Sequence, residues 1–307
     1  MRLIILFDPD FEKKESSYKI YFNNFNNKVN FFYYSDKKQY KLNSKNKFIE
    51  KCHELEIPVP ITTINKYNPE QNYPVLLKYA YGCHSTNNFV INNKNELEEK
   101  LKETNDYQIQ QLLNDAEFYN IQYLLQKKAN IIESRPVNLT KIINKLNYQI
   151  GSKHIGLTDL FDLAKFKIDP LVQHIKEDFN KQELESEKII NFDFALLKEN
   201  NILFLEANVR IGGSYFLSDI MTSECSPSDG ISYLIDDNYF TQIKVKSKIK
   251  EKIFEINNNQ PSLYSGQVEN KKIGFIVFSD KNDFDTTSND IYNFFNESSY
   301  KNSHRVY

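Results

Sequence analysis

Tryptophan is absent from the sequence and cysteine is scarce, with three residues among 307. Cys52, Cys83 and Cys225 lie far apart and form no CxxC pair, which excludes a disulfide framework and a zinc knuckle. This cysteine usage indicates reduced thiols, and we expect a cytoplasmic protein. No apolar run approaches the length that spans a membrane, and the first ten residues gain charge too quickly for a secretory signal.

Neither sign of charge is in large excess. The formal net charge is −2 at pH 7 and the sequence pI is about 6.3, so the composition gives no general attraction to nucleic acid or to an anionic membrane. What is present is a globular composition, with 40% hydrophobic and 26% charged residues. A chain of this length can bury a core as one large domain or as two or three small ones.

Helical and strand patterns alternate along the chain. Ser44 is an N-cap signal, and apolar residues from Phe48 to Leu55 follow it with helical spacing, so a helix is predicted that ends at the prolines of 57–60. Mixed elements with many antiparallel pairs predict an α+β fold. Further helices are predicted over 93–104 and near 169–179, and strands over 2–7, 31–34, 73–80, 89–91, 107–113, 118–126 and 271–278.

The segment NFDFALLKENNILFLEANVRIGGSYF, residues 191–216, predicts a β-hairpin. Alternation with a period of two runs through both halves, and KENN between them has the composition of a turn. A two-residue loop at 199–200 and a four-residue loop over 198–201 give the same register. In that register Asp193 lies directly opposite Glu206.

Two carboxylates that face each other on a sheet repel, so this pair needs a compensating charge. A divalent cation would supply it, since magnesium takes carboxylate and amide oxygens together with phosphate oxygens and water. Glu206 and Asn208 are two positions apart and therefore share one face of their strand, which Asp193 reaches from the partner strand. The alternative is a structural ion pair with Arg210.

Polar residues upstream of the hairpin are typical of a nucleotide site. Lys47 at the start of a helix and Lys78 at the end of a strand can neutralise phosphates as point charges. The small-residue loop after Lys78 can close over a phosphate chain with backbone N–H donors. Gln110 and Glu117 then bracket a turn.

These motifs resemble those of the ATP-grasp superfamily, which includes D-alanine–D-alanine ligase, biotin carboxylase and glutathione synthetase. FDFALLKENNILFLEANVR resembles the family signature "DF … dG … ylEiN.R". IPVP followed by YPVLLKYAYG resembles "giPvP … yPvivKp..G", and QIQQLLNDAEFYNIQYL resembles "viEefl.G.Ey.v..l". This sequence departs from the family at two positions. Gly82 is the only glycine in the loop after Lys78, and Asn191 stands where one branch of the family has arginine.

The resemblance implies an α+β ATP-grasp fold, in which two subdomains clasp ATP. The core would span residues 44–225, with a lid subdomain at about 73–125, preceded by a shortened N-terminal region over 1–43. Residues 226–307 would form a C-terminal extension with a strand at 271–278 and a tail that is expected to fray.

The resemblance also implies which residues hold the metal and the phosphates. Asp193, Glu206 and Asn208 would hold two magnesium ions, which manganese can replace, with Glu206 as the bridge. Lys47 and Lys78 would contact the nucleotide phosphates. ATP and Mg²⁺ are therefore the expected cofactors.

The remaining implied roles concern the adenosine and the reacting carboxylate. Gln110 stands at the adenine hinge, where the family often has glutamate, and the backbone of Gln111 and Leu113 would pair with the adenine edge. Glu117 would bind the ribose hydroxyls. Arg210 matches the arginine of "EiN.R" and would lie near the substrate carboxylate and the acyl phosphate.

Three further residues are candidates for substrate contacts. Arg135 can clamp a carboxylate through two hydrogen bonds, or it can be a surface arginine before a proline. Lys153 and His154, in GSKHIGLTD, can reach the γ-phosphate or the acceptor from a closing loop, or they can be loop residues without a role. Cys83 and His84 are rejected as a catalytic pair, because sequence neighbours on a loop rarely share the geometry that catalysis needs.

The expected activity is that of an ATP-dependent carboxylate–amine ligase, which forms an amide through an acyl phosphate and releases ADP and phosphate. Its partners would be a small-molecule carboxylate and amine from peptide or specialised-metabolite biosynthesis, with no nucleic acid or membrane, and a homodimer is compatible with this function. One alternative is a peptide, protein or sugar-carboxylate acceptor. The other is a catalytically silent ATP-binding regulatory protein.

Overall fold

A computed structural model of the protein describes residues 2–4, 30–32, 40–68, 72–81, 87–128, 131–145, 148–156, 158–181, 188–209, 229–236, 263–268 and 272–279. Several residues that the sequence singled out lie outside these ranges, and they are Gly82, Cys83, His84, Arg210 and Cys225.

Strands dominate the described residues. The strands are β1 (Arg2–Ile4), β2 (Asn30–Phe32), β3 (Thr62–Ile64), β4 (Val75–Tyr79), β5 (Asn88–Ile91), β6 (Tyr107–Gln111), β7 (Glu117–Lys128), β8 (Ile131–Lys145), β9 (Tyr148–His154), β10 (Lys188–Leu196), β11 (Ile202–Asn208), β12 (Asp229–Asp236), β13 (Leu263–Val268) and β14 (Lys272–Ser279). The helices are α1 (Lys45–Glu54), α2 (Lys94–Lys100) and α3 (Asp159–Lys181), with short 3₁₀ turns at Lys41–Asn43 and Lys198–Asn200.

Two antiparallel sheets carry the fold. The small sheet has the order β3-β6-β4-β5, and the large one has the order β11-β10-β7-β8-β9-β12-β14-β13. A separate parallel pair joins β1 and β2. The predicted α+β class is therefore confirmed. The small sheet ends at Gln111, and β7, which begins at Glu117, belongs to the large sheet. The bounds of the lid subdomain stay a prediction.

The first helix forms where its capping signal predicts. The Ser44 side chain accepts a hydrogen bond from the Lys47 N–H, which satisfies one of the unpaired donors of the first turn. Two backbone contacts fix this end in the fold, because the Lys45 N–H donates to the Ala80 carbonyl just after β4, and the Val209 N–H donates to Asn43 Oδ1. The start of α1 is thereby held beside both β4 and the end of β11.

The main core lies on one face of the large sheet, where α1 and α3 pack. Phe192, Phe194 and Phe204 form its centre and are fully buried, each contributing about 2–3 kcal/mol through the area it removes from water. A second, smaller core lies between the small sheet and Leu97 of α2. The opposite faces of both sheets do not belong to these two cores.

Two segments of the chain differ from the sequence prediction. The third helix begins at Asp159, ten residues before the start of the predicted range, so Pro170 lies inside the helix. The stretch around Lys153 and His154, expected as a loop, ends strand β9. Within the ranges described, no helix is both long and apolar enough to cross a membrane.

Candidate active site

The hairpin of β10 and β11 brings together the two carboxylates that motivated the metal prediction. Asp193 lies directly opposite Glu206, which confirms the predicted pairing. Nearer the turn the prediction was wrong by one residue, since Leu196, not Leu197, pairs with Ile202.

A β-bulge reconciles these two registers. The pairing shifts between Asp193 and Phe194, so that one extra residue of β11 restores the opposition at Glu206. The tight loop places Glu199 and Asn200 at φ of 60° and 57°, in the left-handed region that asparagine tolerates better than most residues. The turn and the bulge together set where the carboxylates meet.

Each acidic group of this pair has an amide neighbour. Asn208 Nδ2 donates to Glu206 Oε1 at 3.1 Å, and Asn120 Nδ2 donates to Asp193 Oδ1. Carboxylate and amide oxygens suit magnesium, so the donor set fits the implied ion. Among the described residues no group of three or more His, Cys, Asp and Glu side chains is arranged for a metal, so phosphate oxygens, water or the Asn208 amide would complete the coordination.

Two buried lysines face these carboxylates. Lys45 is 5% exposed, and its Nζ lies 3.7 Å from Glu206 Oε2. Lys78 is 4% exposed, and its charge interacts with those of Glu206, Asp193 and Lys45. The end of β4 thus lies near the two carboxylates, and the phosphate contact of Lys78 stays a prediction.

Lys47, by contrast, is not part of this group. Its side chain is 60% exposed, and its Nζ donates to Glu50 at 2.8 Å on the outer face of α1. Residues two apart on a helix point about 200° away from each other, so Lys45 and Lys47 cannot both face the site. Of the two lysines, Lys45 is the one that the structure places beside Glu206, and the phosphate contact of Lys47 stays a prediction.

The charges in this cluster shift one another's ionisation. Burial lowers the pKa of Lys78, Glu206 offsets part of that effect and Lys45 adds to it, so the pKa is about 8. Burial would raise the pKa of Glu206, but attraction from Lys45 and Lys78 and the hydrogen bond from Asn208 outweigh it and hold the pKa at about 2. The carboxylate is thus the counter-ion of both lysines.

The predicted adenine hinge lies at the end of β6. The Gln110 side chain is buried, and its Nε2 donates to Thr62 Oγ1 at 3.2 Å. The Gln111 N–H donates to the Ile61 carbonyl at 2.9 Å, so this N–H is already used within the protein. Leu113 follows at the exit from the strand, between the two sheets.

Glu117 begins β7 and holds two contacts of its own. Its carboxylate accepts hydrogen bonds from the Tyr119 hydroxyl at 2.6 Å and from Lys141 Nζ, and these bonds, that of Lys141 first, lower its pKa. Lys141 was not predicted as a site residue. The ribose role of Glu117 stays a prediction.

Rows of polar side chains cross the large sheet beside the carboxylates, and sequence analysis missed them. One row pairs Asn191 with Gln122 and Gln122 with Asn138. The next pairs Asp193 with Asn120, Asn120 with Thr140, and Thr140 with His154. The Asn, Gln and Thr members are buried. The alternation of Asn120 and Gln122 with the apolar residues in the middle of β7 was the available signal.

The register also places the three candidates for substrate contacts. His154 ends the second polar row, and a Cβ at Gly156, whose φ is +78°, would lie 3.2 Å from His154 Nε2. Lys153 pairs with Lys141 and so lies on the opposite face from His154. Arg135 is exposed and pairs with Leu124, two residues beyond Gln122 on the face of the polar rows.

No family model and no curated protein matches this sequence. Solved structures do match. N5-carboxyaminoimidazole synthetase from Staphylococcus aureus, complexed with ADP, has a TM-score of 0.60 and 14% identity over 83% of this chain and 71% of that chain. Carboxyaminoimidazole ribonucleotide synthase from Aspergillus clavatus, complexed with ATP, has a TM-score of 0.61 and 12% identity over 83% and 73%.

A third similar structure is the biotin carboxylase domain of 2-oxoglutarate carboxylase from Hydrogenobacter thermophilus, in complex with MgADP, ADP and bicarbonate. Its TM-score is 0.53, with 14% identity over 78% of this chain and 62% of that chain. All three are ATP-grasp proteins. The chain therefore has the ATP-grasp fold, as its hairpin and hinge motifs predicted.

Proposed function

We propose that the protein is an ATP-dependent carboxylate–amine ligase that forms an amide through an acyl phosphate and releases ADP and phosphate. The observation that carries the proposal is Glu206, which lies opposite Asp193 and serves as counter-ion to the buried Lys45 and Lys78. Buried charges of this kind are uncommon outside functional sites, because desolvation makes them unfavourable unless a ligand uses them.

In this proposal the nucleotide lies between the two sheets. Adenine is at the hinge formed by Gln110 to Leu113, and the phosphates extend along β4 towards Lys78 and Lys45. Asp193, Glu206 and Asn208 hold magnesium, which, when bound, neutralises charge on the β- and γ-phosphates. The similar solved structures were determined with ADP, ATP or MgADP, which supports a nucleotide in this cleft.

The chain's own residues then act by binding and electrostatics. Lys45 and Lys78 are positioned to stabilise the negative charge that develops as the γ-phosphoryl group passes to a substrate carboxylate. An amine then attacks the acyl carbon and phosphate leaves. No side-chain nucleophile is required. The acceptor would lie over the polar rows of the large sheet.

Magnesium-dependent ADP release tests the proposal. The protein is incubated with ATP, magnesium and pools of amino acids and dipeptides, and the product masses are read in parallel, with EDTA and pool-free reactions as controls. ADP together with a product equal in mass to two substrates minus water would establish the ligase. ATP binding without ADP release in any pool would favour the regulatory alternative, and absence of ATP binding would refute the nucleotide site.

A further inference from the structure

Gln108 lies on the face of the small sheet that is turned towards the site. It is the direct cross-strand partner of Lys78, and it precedes Gln110 by two residues on the same face of β6. Side chains in such pairs have Cβ atoms about 5 Å apart. The alternate residues Leu77 and Ile109 point away, into the core beneath α2. The Gln108 side chain therefore lies next to that of Lys78, one step from the hinge towards the phosphate end of the cleft.

The carboxamide of Gln108 is buried with its hydrogen-bonding capacity unused. The residue is 0% exposed, and neither Nε2 nor Oε1 has a hydrogen-bond partner within the part of the chain that the structure describes. Most buried polar side chains in folded proteins are paired, and an unpaired one lowers stability. Gln110, its neighbour on the strand, is paired with Thr62. An amide that stays unpaired in a cleft is explained when a ligand supplies its partner.

We infer that the Gln108 carboxamide binds the phosphate chain of the nucleotide beside Lys78, with Nε2 donating to a phosphate oxygen and Oε1 accepting from the Lys78 ammonium. The inference rests on the proposed function, since it requires a nucleotide between the sheets. Through Nε2, Gln108 contacts the nucleotide itself, and through Oε1 it holds the Lys78 ammonium in position. Because an amide is uncharged, it adds a donor without disturbing the balance between the two lysines and the two carboxylates.

Gln108→Met tests this inference, because methionine keeps the length of the side chain and removes both hydrogen-bonding atoms. The matched control is Gln173→Met on the exposed side of α3. Calorimetric titration with MgADP and with adenosine is combined with thermal unfolding of the ligand-free protein. We expect Gln108→Met to bind MgADP about 10- to 100-fold more weakly, as for a lost hydrogen bond to a charged group, while adenosine binding is unchanged.

Thermal unfolding provides a second test, in which the substitution is expected to raise stability although it weakens MgADP binding. The ligand-free Gln108→Met protein is expected to unfold at a higher temperature than the wild type, because an apolar group replaces a buried unpaired amide. The variant Gln108→Glu, which keeps an acceptor and loses the donor, is expected to weaken MgADP binding further through repulsion of the phosphates. Gln173→Met should change none of these quantities.

The outcomes separate this inference from the proposed function. Unchanged MgADP affinity in Gln108→Met, or a lower unfolding temperature with equal losses for MgADP and adenosine, would overturn the inference and give the amide a structural role. If wild-type protein does not bind MgADP, the proposed function fails first, and that result is read before any variant is compared.

Discussion

Glu206→Gln tests the charge balance of the site in the ligand-free protein. The substitution is nearly isosteric, so from the sequence alone it is expected to spare the fold. The structure changes that expectation, because Glu206 lies 3.7 Å from Lys45 and is the counter-ion of Lys78 as well. Without the Glu206 charge, Lys45 and Lys78 stay almost completely buried. Within the described part of the site, Asp193 is then the carboxylate that remains near them.

The magnitude follows from the ionisation of Glu206. Its pKa falls from an ordinary value of 4.5 to about 2 in the folded protein. At about 1.4 kcal/mol for each tenfold change in proton affinity, the ionised carboxylate contributes about 3 kcal/mol to the free energy of unfolding at neutral pH. Because the folded-state pKa is the lower one, this contribution is fully present above pH 4.5 and is lost as the pH falls towards 2.

Urea unfolding without nucleotide measures the effect. At pH 7 we expect Glu206→Gln to be less stable than the wild type by about 2–3 kcal/mol, and at pH 3 the difference should narrow to about 1 kcal/mol. Glu50→Gln is the control, because it removes the exposed partner of Lys47 and should change stability by about 0.5 kcal/mol or less. A Glu206→Gln protein as stable as the wild type at pH 7 would refute the counter-ion role.

Three further predictions concern nucleotide binding. Lys45→Met is expected to weaken MgADP binding about 10- to 100-fold by removing a buried cation, whereas Lys47→Met should leave the affinity unchanged. Equal effects of the two substitutions in calorimetry would contradict the choice of Lys45 as the lysine that contacts the phosphates. MgADP affinity should fall as the pH rises through about 8, where Lys78 loses its proton. Lys78→Met should abolish that pH dependence in the same titration. Glu117→Ala is expected to raise the KM for ATP more than it lowers kcat in steady-state assays, and a loss confined to kcat would count against a ribose role.

Local patterns predicted the parts of the site that depend on neighbouring residues in the chain. The N-cap at Ser44 and the alternation around Asp193 and Glu206 are set within a few residues, and the structure has both. The apolar stripe of α1 also held a signal that was not used: Lys45 lies three, four and seven residues before Phe48, Ile49 and Cys52, on the buried side of the helix, and Lys47 does not. What the stripe does not show is that this side of α1 lies beside β4. That relation depends on the hydrogen bond from the Lys45 N–H to Ala80, a contact distant in sequence.

The polar rows of the large sheet were missed for a related reason. Asn120, Thr140 and Asn138 come from two strands, and each alone is an ordinary polar residue at an alternating position. Only the register of β7 with β8 and β10 aligns them with Asp193. Strand β8 itself was not predicted, because polar residues such as Asn138 and Thr140 interrupt its apolar alternation.

If the proposed function is correct, the charges of the site favour binding of the nucleotide together with magnesium. Lys45 and Lys78 are matched by Asp193 and Glu206 in the ligand-free protein, so the lysines are not available to neutralise a phosphate chain unless the carboxylates change partners. A divalent cation allows that exchange, because the carboxylates can turn to the metal while the lysines turn to the phosphates. Nucleotide without metal would set phosphate against Glu206 in a buried cleft, where repulsion is poorly screened. Metal without nucleotide would leave two buried lysines unpaired. The arrangement therefore favours joint binding of the two ligands over binding of either one alone.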